Sequence, residues 1–236
     1  MFYYGFDLTY LIMVMPFVIL SIWASSNVNS TFKRYSKVYS RRGLTGAQAA
    51  EQVLKNNGVY NVRIERVSGN LTDHFDPKAN VIRLSDNVYG NTSAAAIGVA
   101  CHVAGHAVQY AQDYAPIKLR AAIIPVTNIG SMLAMPLIVL GLVLNFMTEF
   151  SYTFVYIGIG CFGLSLLFQL ITLPVEFNAS HRAVSAISGA GLLDEQELDG
   201  AKKTLRAAAL TYVAAAAVSL MQLLRLILIF GGRRDD

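Results

Sequence analysis

Two histidines stand four residues apart in Ala100-Cys101-His102-Val103-Ala104-Gly105-His106-Ala107-Val108-Gln109. On a helix that spacing separates them by only ~40° around the axis and ~6 Å along it, so both rings can reach one metal ion at the usual Zn–N distance. It is the spacing of the zinc motif His-Glu-x-x-His. Two core or interface histidines on an amphipathic helix explain the bare spacing equally well. A catalytic zinc site needs three protein ligands and one open position. Glu176, in Leu173-Pro174-Val175-Glu176-Phe177-Asn178-Ala179-Ser180-His181-Arg182, is a candidate third ligand. Its competing reading is a solvated charge at a helix start. His181 is the rival ligand, with solvent or lipid head groups as its simpler environment. Gln109, seven residues after His102, reads as a packing residue or a polar group behind a ligand. Asn178 reads as an orienting neighbour or a solvated side chain. Cys101 and Cys161 are the only cysteines and both lie in apolar stretches, so no disulfide framework exists and each reads as a small core residue.

The histidine pair needs a helix, and Asn91-Thr92-Ser93 supplies cap residues for one from about Ala94 to Tyr114, with Pro116 beyond its end. Upstream, Thr45 with Gln48 forms a capping-box pattern before a helix over Ala47 to Lys55, closed by Asn57-Gly58. Val62 to Val67 alternates apolar and polar as a half-buried strand does, and Asn80 to Leu84 is a second strand candidate. Segment 175–206 reads as helical with a break at Ser188-Gly189-Ala190-Gly191.

Charged residues are only 14% of the 236-residue chain and apolar residues are 54%. Mean hydropathy is +0.45. A disordered chain is excluded and a purely soluble globule is disfavoured. Crossing a bilayer takes about 20 apolar residues. Four stretches suffice: roughly Leu8–Ala24, Ala121–Met147, Thr153–Leu173 and Ala207–Phe230. Pro125 and Pro136 predict a kink in the second. The expected fold class is therefore an α-helical multipass membrane protein with a small α+β domain outside the bilayer. Its parts are an anchor at 1–24, an α+β segment at 25–120 with the histidine helix, a membrane hairpin at 121–174, a helical segment at 175–206 and a last span with tail at 207–236.

Basic residues beside the spans set the orientation. Lys33, Arg34, Lys37, Arg41, Arg42, Lys118, Arg120, Arg182, Lys202, Lys203 and Arg206 fall in segments 25–120 and 175–206, against Arg233 and Arg234 in the tail. Both segments are thus expected on the cytoplasmic side, where they can build one site. With the basic residues clustered beside spans, the net charge of +4 needs no nucleic-acid partner. Membrane lipids are the expected surroundings.

Four strings taken together resemble the YugP-type membrane zinc metallopeptidases of bacteria. They are Asp73-His74-Phe75-Asp76-Pro77, Val81-Ile82-Arg83-Leu84-Ser85, the His-x-x-x-His helix, and Pro174-Val175-Glu176-Phe177-Asn178-Ala179-Ser180. The resemblance runs from about Thr45 to Lys203. It implies a zincin-like metallopeptidase domain, with Zn2+ held by His102, His106 and Glu176. It also implies hydrolysis of peptide or protein substrates at the cytoplasmic face of the bacterial inner membrane. His74 and Asp76, in a family-like string, become candidates for lining the cleft or orienting a ligand. The other reading of Asp76 is a turn-holding residue before Pro77.

The chain departs from the family where it matters most. The residue after the first histidine, glutamate in the family and its general base, is Val103 here. Valine has no proton acceptor or donor. The expectation is an intact metal site with severely impaired hydrolysis, and the matching flanks favour a single substitution, recent or deliberate. The alternative is a non-catalytic, zinc-containing module that binds peptides or another membrane protein. Gly158, Gly160 and Gly163 offer a close-packing face that could serve within the chain or between copies. The resemblance also implies an edge strand on which a substrate strand adds, a part that the strand at about Asn80–Leu84 would take.

Overall fold

The computed structural model describes residues 2–3, 6–144 and 151–231. Residues 145–147, the end of the second expected span, and the tail residues Arg233 and Arg234 used in the charge comparison lie outside the described residues. The chain divides into two units: Met1–Trp23, Leu119–Leu173 and Tyr212–Asp236 form one, and Ala24–Lys118 with Pro174–Thr211 forms the other.

Among the described residues, the first unit is helical apart from a short pair of strands, β1 (Phe2–Tyr3) and β2 (Phe6–Asp7). Its helical parts come from α1 (Leu8–Met13), α2 (Met15–Tyr35), α6 (Ala115–Leu144), α7 (Ser151–Gly189) and α8 (Glu195–Gly231). Four helices are long and apolar enough to cross a membrane: Tyr10–Tyr35, Ala115–Leu144, Tyr152–Gly189 and Glu195–Gly231. Pro125 and Pro136 both sit inside the single helix α6. Ile22, Met132 and Leu228 are more than 60% exposed, as lipid-facing side chains are. Inward, Ile138, Val155, Leu226 and Phe230 form a small core. A Cβ on Gly158 would lie 2.8 Å from Ala134 O, so its bare backbone lets α6 and α7 touch, while Gly160 and Gly163 have nothing within 4 Å of theirs. Of that glycine face, Gly158 serves packing within the chain.

The second unit is α+β. Helix α3 (Gly46–Asn56) starts at Thr45 with both halves of the expected capping box formed. Strands β3 (Arg63–Val67), β4 (His74–Asp76) and β5 (Val81–Ser85) make one sheet in the order β3-β5-β4. β3 runs parallel to β5 with Arg63 opposite Val81, and β4 runs antiparallel with His74 opposite Arg83. β5 is therefore central and paired on both sides. The expectation that it forms a free edge is corrected: the three-residue strand β4 takes that edge. Val81, Ile82 and Leu84 on β5 are fully buried. After the short α4 (Asp86–Tyr89), Ser93 caps α5 (Ala94–Ala111) by accepting from Ala96 N. Helix α5 ends three residues before the expected Tyr114, and α6 begins at Ala115.

Helix α5 is the pillar of this unit. Its glycines admit close neighbours, Ala201 at Gly98 and Ala179 at Gly105, and 13 of its 18 residues are buried. The other wall is the C-terminal part of α7, ending at Gly189 as expected. Arg42 Nη1 donates to the carbonyls of Ala190 and Gly191 just past that end. Asp194 and Glu197 cap the start of α8 reciprocally, and Glu197 also accepts from Arg41 N. This knot fixes where α7 stops and α8 begins.

Candidate metal centre

One close approach positions the site. An added Cβ on Gly105 would stand 2.9 Å from Ala179 O, so only glycine lets α5 and α7 cross at this separation. Gly105 lies directly before His106, and Ala179 lies three residues after Glu176. The crossing therefore brings the two histidines of α5 against the acid of α7.

The three groups meet. His102 Nε2 and His106 Nε2 are 3.1 Å apart, and Glu176 Oε2 lies 3.2 Å from the first and 3.4 Å from the second. Ligand atoms at Zn–N and Zn–O distances of about 2.0–2.1 Å around a tetrahedral ion stand about 3.3 Å from one another. The triangle has that size. Glu176 is 2% exposed, and a carboxylate so buried needs positive charge beside it.

The outer nitrogens of both rings are held. His106 Nδ1 lies 3.0 Å from Gln109 Oε1, and His102 Nδ1 lies 3.1 Å from Ser180 Oγ. Gln109 spends its amide hydrogens on Val175 O at 2.8 Å and Asn178 Oδ1 at 2.9 Å, so its oxygen faces His106 and accepts from Nδ1–H. His106 Nε2 then carries a lone pair aimed at the Glu176 carboxylate. A lone pair facing a buried carboxylate calls for a cation between them, and the donor set of two imidazoles and one carboxylate suits a divalent zinc ion. Metal-binding histidines usually have their second nitrogen tied in this way. Among the described residues, His102, His106 and Glu176 are the one group of this kind.

The remaining sequence candidates lie elsewhere. His181 is exposed and outside the group. His74 is exposed on β4, with Nδ1 2.8 Å from Thr72 O and Nε2 3.5 Å from Arg83. Asp76 accepts from Lys78 N and Ala79 N and from Arg83 Nη1, and the Arg83 guanidinium holds its carboxyl below the usual carboxylate range. Both belong to the sheet edge and not to the triangle. Val103 is 3% exposed and joins the apolar core with Ala100, Ala104 and Ala107. Ser180, against His102, and Arg182, whose Nε donates to Asn178 Oδ1 at 2.7 Å, also stand at the site, and their i+4 and i+6 spacing from Glu176 is the sequence signal they carry.

Residues 10–231 match the family model described as a putative neutral zinc metallopeptidase. The chain belongs to this zinc metallopeptidase family. The match covers nearly all of both units, so the family assignment rests on the membrane helices as well as the histidine helix. A curated relative, the "Putative membrane protease YugP" of Bacillus subtilis (strain 168), is 48% identical over 217 residues, covering 92% of this chain and 94% of the relative. No solved structure matches. A zinc metallopeptidase implies zinc as cofactor and peptides or proteins as substrates, and four apolar helices together with the relative's name make this a membrane protein.

Proposed function

We propose that this chain holds one zinc ion between His102, His106 and Glu176, in an endopeptidase scaffold at the cytoplasmic face of a bacterial inner membrane, with hydrolysis impaired by Val103. The observation that carries the reading is the triangle of ligand atoms 3.1–3.4 Å on a side. A zinc ion there supplies Lewis acidity towards water and a peptide carbonyl. His102 and His106 bind it through Nε2 while Ser180 and Gln109 fix the rings. Glu176 offsets its charge. Position 103 should carry the group that takes a proton from water and gives it to the leaving amine. The valine side chain can do neither, and a general acid–base contribution of typically ~10²–10⁴ in rate is lost.

Substrate has one sheet edge beside this helix. β4 packs on α5, with the Phe75 and Tyr110 rings 6.0 Å apart edge to face. An extended peptide would add to the outer side of β4. The cytoplasmic orientation rests on the basic residues that flank the spans in segments 25–120 and 175–206.

The test is Val103→Glu in the full chain in detergent. It is expected to raise zinc-dependent cleavage of an unfolded test protein by at least ~10²-fold, abolished by a chelator. A reverted protein that binds zinc but stays inert on a broad peptide library would favour the second reading, a non-catalytic peptide- or membrane-protein-binding module. Its supporting observation is that Val103 is already accommodated as a 3%-exposed core residue.

A further inference from the structure

We infer that Gln109, Asn178 and Arg182 form a positioning relay that fixes the His106 tautomer from outside the site and clamps the histidine helix to the acid-bearing helix. The inference rests on the zinc reading just given, and its test separates the two.

The relay is continuous. Arg182 Nε donates to Asn178 Oδ1 at 2.7 Å, Gln109 Nε2 donates to the same oxygen at 2.9 Å, and Gln109 Oε1 meets His106 Nδ1 at 3.0 Å. Its polarity has one solution. A guanidinium can only donate. Arg182 therefore turns the Asn178 oxygen, not its NH2, towards Gln109. That oxygen and the Val175 carbonyl, 2.8 Å away, both demand donors, so the Gln109 NH2 must face them. Gln109 is left presenting oxygen to His106, whose proton must then sit on Nδ1. Nε2 is free to bind metal. A free imidazole carries its proton on either nitrogen, and only the Nδ1–H form can ligate through Nε2, the nitrogen in the triangle.

The relay also joins elements. Gln109 lies on α5; Val175, Asn178 and Arg182 lie on α7 around Glu176. Arg182 Nη1 reaches Gln112 Oε1 at 2.6 Å, at the C-cap of α5, and its guanidinium lies 6.0 Å from the Tyr114 ring centre. Gln109 is fully buried, whereas Arg182 is half-exposed, so the polarity of a buried network is set by a cation at its rim. The acceptor on His106 is a neutral amide. A carboxylate in that place would push electron density onto the ring and temper the metal's acidity.

The experiment uses the full chain in detergent with two readouts: zinc affinity by competition with a chromophoric chelator, and imidazole 15N shifts of His106 in the zinc-free, histidine-labelled protein carrying Glu176→Ala, where no carboxylate draws a proton onto Nε2. Asn178→Leu is expected to weaken zinc about 10–100-fold and to spread His106 over both tautomers. Asn178→Asp keeps the oxygen that both donors use, so it should retain the wild-type tautomer. Arg182→Met, at a half-exposed position, should weaken zinc several-fold and loosen the tautomer even if Asn178→Leu fails to fold. The relay is overturned if Asn178→Leu or Arg182→Met folds with wild-type 15N shifts, or if Asn178→Asp loses the tautomer as Asn178→Leu does. Should the wild type bind no zinc, the proposed function fails, and the 15N shifts still decide the relay.

Discussion

Two helix crossings in this chain use the same device to different ends. In the membrane unit, Gly158 of α7 lets α6 approach, with Ala134 O 2.8 Å from where a Cβ would be. In the α+β unit, Gly105 of α5 lets α7 approach, with Ala179 O at 2.9 Å. Around Gly158 the nearest neighbours are Ile138 and Ala134, and Ser131 with Ser165, 2.6 Å apart, is a polar pair joining α6 and α7. Around Gly105 stand His102, His106, Gln109, Glu176, Asn178 and Ser180. Close packing is thus not the source of chemistry. It sets a short interhelical distance, and polar side chains one turn to either side turn that distance into a ligand triangle.

The sharpest way to break this comparison is to add the same methyl group at both crossings. Gly105→Ala should separate α5 from α7, lower zinc affinity by at least ~10²-fold, and lower the thermal midpoint as overpacking of about 1–3 kcal/mol does. Gly158→Ala should cost similar stability and leave zinc affinity within about twofold. Equal effects on zinc at both positions would contradict the distinction. Chelator competition and thermal melts read both.

Ser180→Ala sharpens the picture inside the site. It removes one neutral hydrogen bond from His102 while leaving the triangle intact, a loss of about 0.5–1.5 kcal/mol, or roughly 2–10-fold in zinc affinity. The smallest effect lies at the sheet. Burial pushes the Asp73 carboxyl up, against the hydrogen bonds it accepts from Ser85 N at 2.7 Å and Ser85 Oγ at 3.0 Å. A carboxyl raised in the folded state contributes stability at low pH that is lost as pH rises through its folded value. Asn in its place does not titrate. The wild type should therefore gain stability relative to Asp73→Asn as pH falls from neutral towards 4, read as a widening difference in thermal midpoint.

Much of this was legible in the residues. The i, i+4 histidines and the Ser93 cap gave the helix and the face, and the alternation at 62–67 and the apolar run at 80–84 gave two strands. The central place of β5 was not legible, because β4 is three residues long and its sequence, ending in Asp76 before Pro77, carries turn chemistry more strongly than strand chemistry. Helix α5 stops early because Gln112 caps it and Asp113 takes a left-handed conformation, and neither residue is a strong stop signal. The Gln109–Asn178–Arg182 relay joins residues about 70 positions apart. It exists only once α5 and α7 cross at one register, and no local pattern encodes that register. Gly105, small and set between two histidines, was the local clue to the crossing.

The most direct test of the central claim is X-ray absorption at the zinc edge on the full chain, wild type against Glu176→Ala. The expected result is two imidazoles and one carboxylate oxygen at about 2.0–2.1 Å in the wild type, with the carboxylate and at least ~10²-fold of affinity lost in the variant. A wild-type spectrum showing sulfur ligation, or a zinc environment and affinity unchanged by Glu176→Ala, would contradict it.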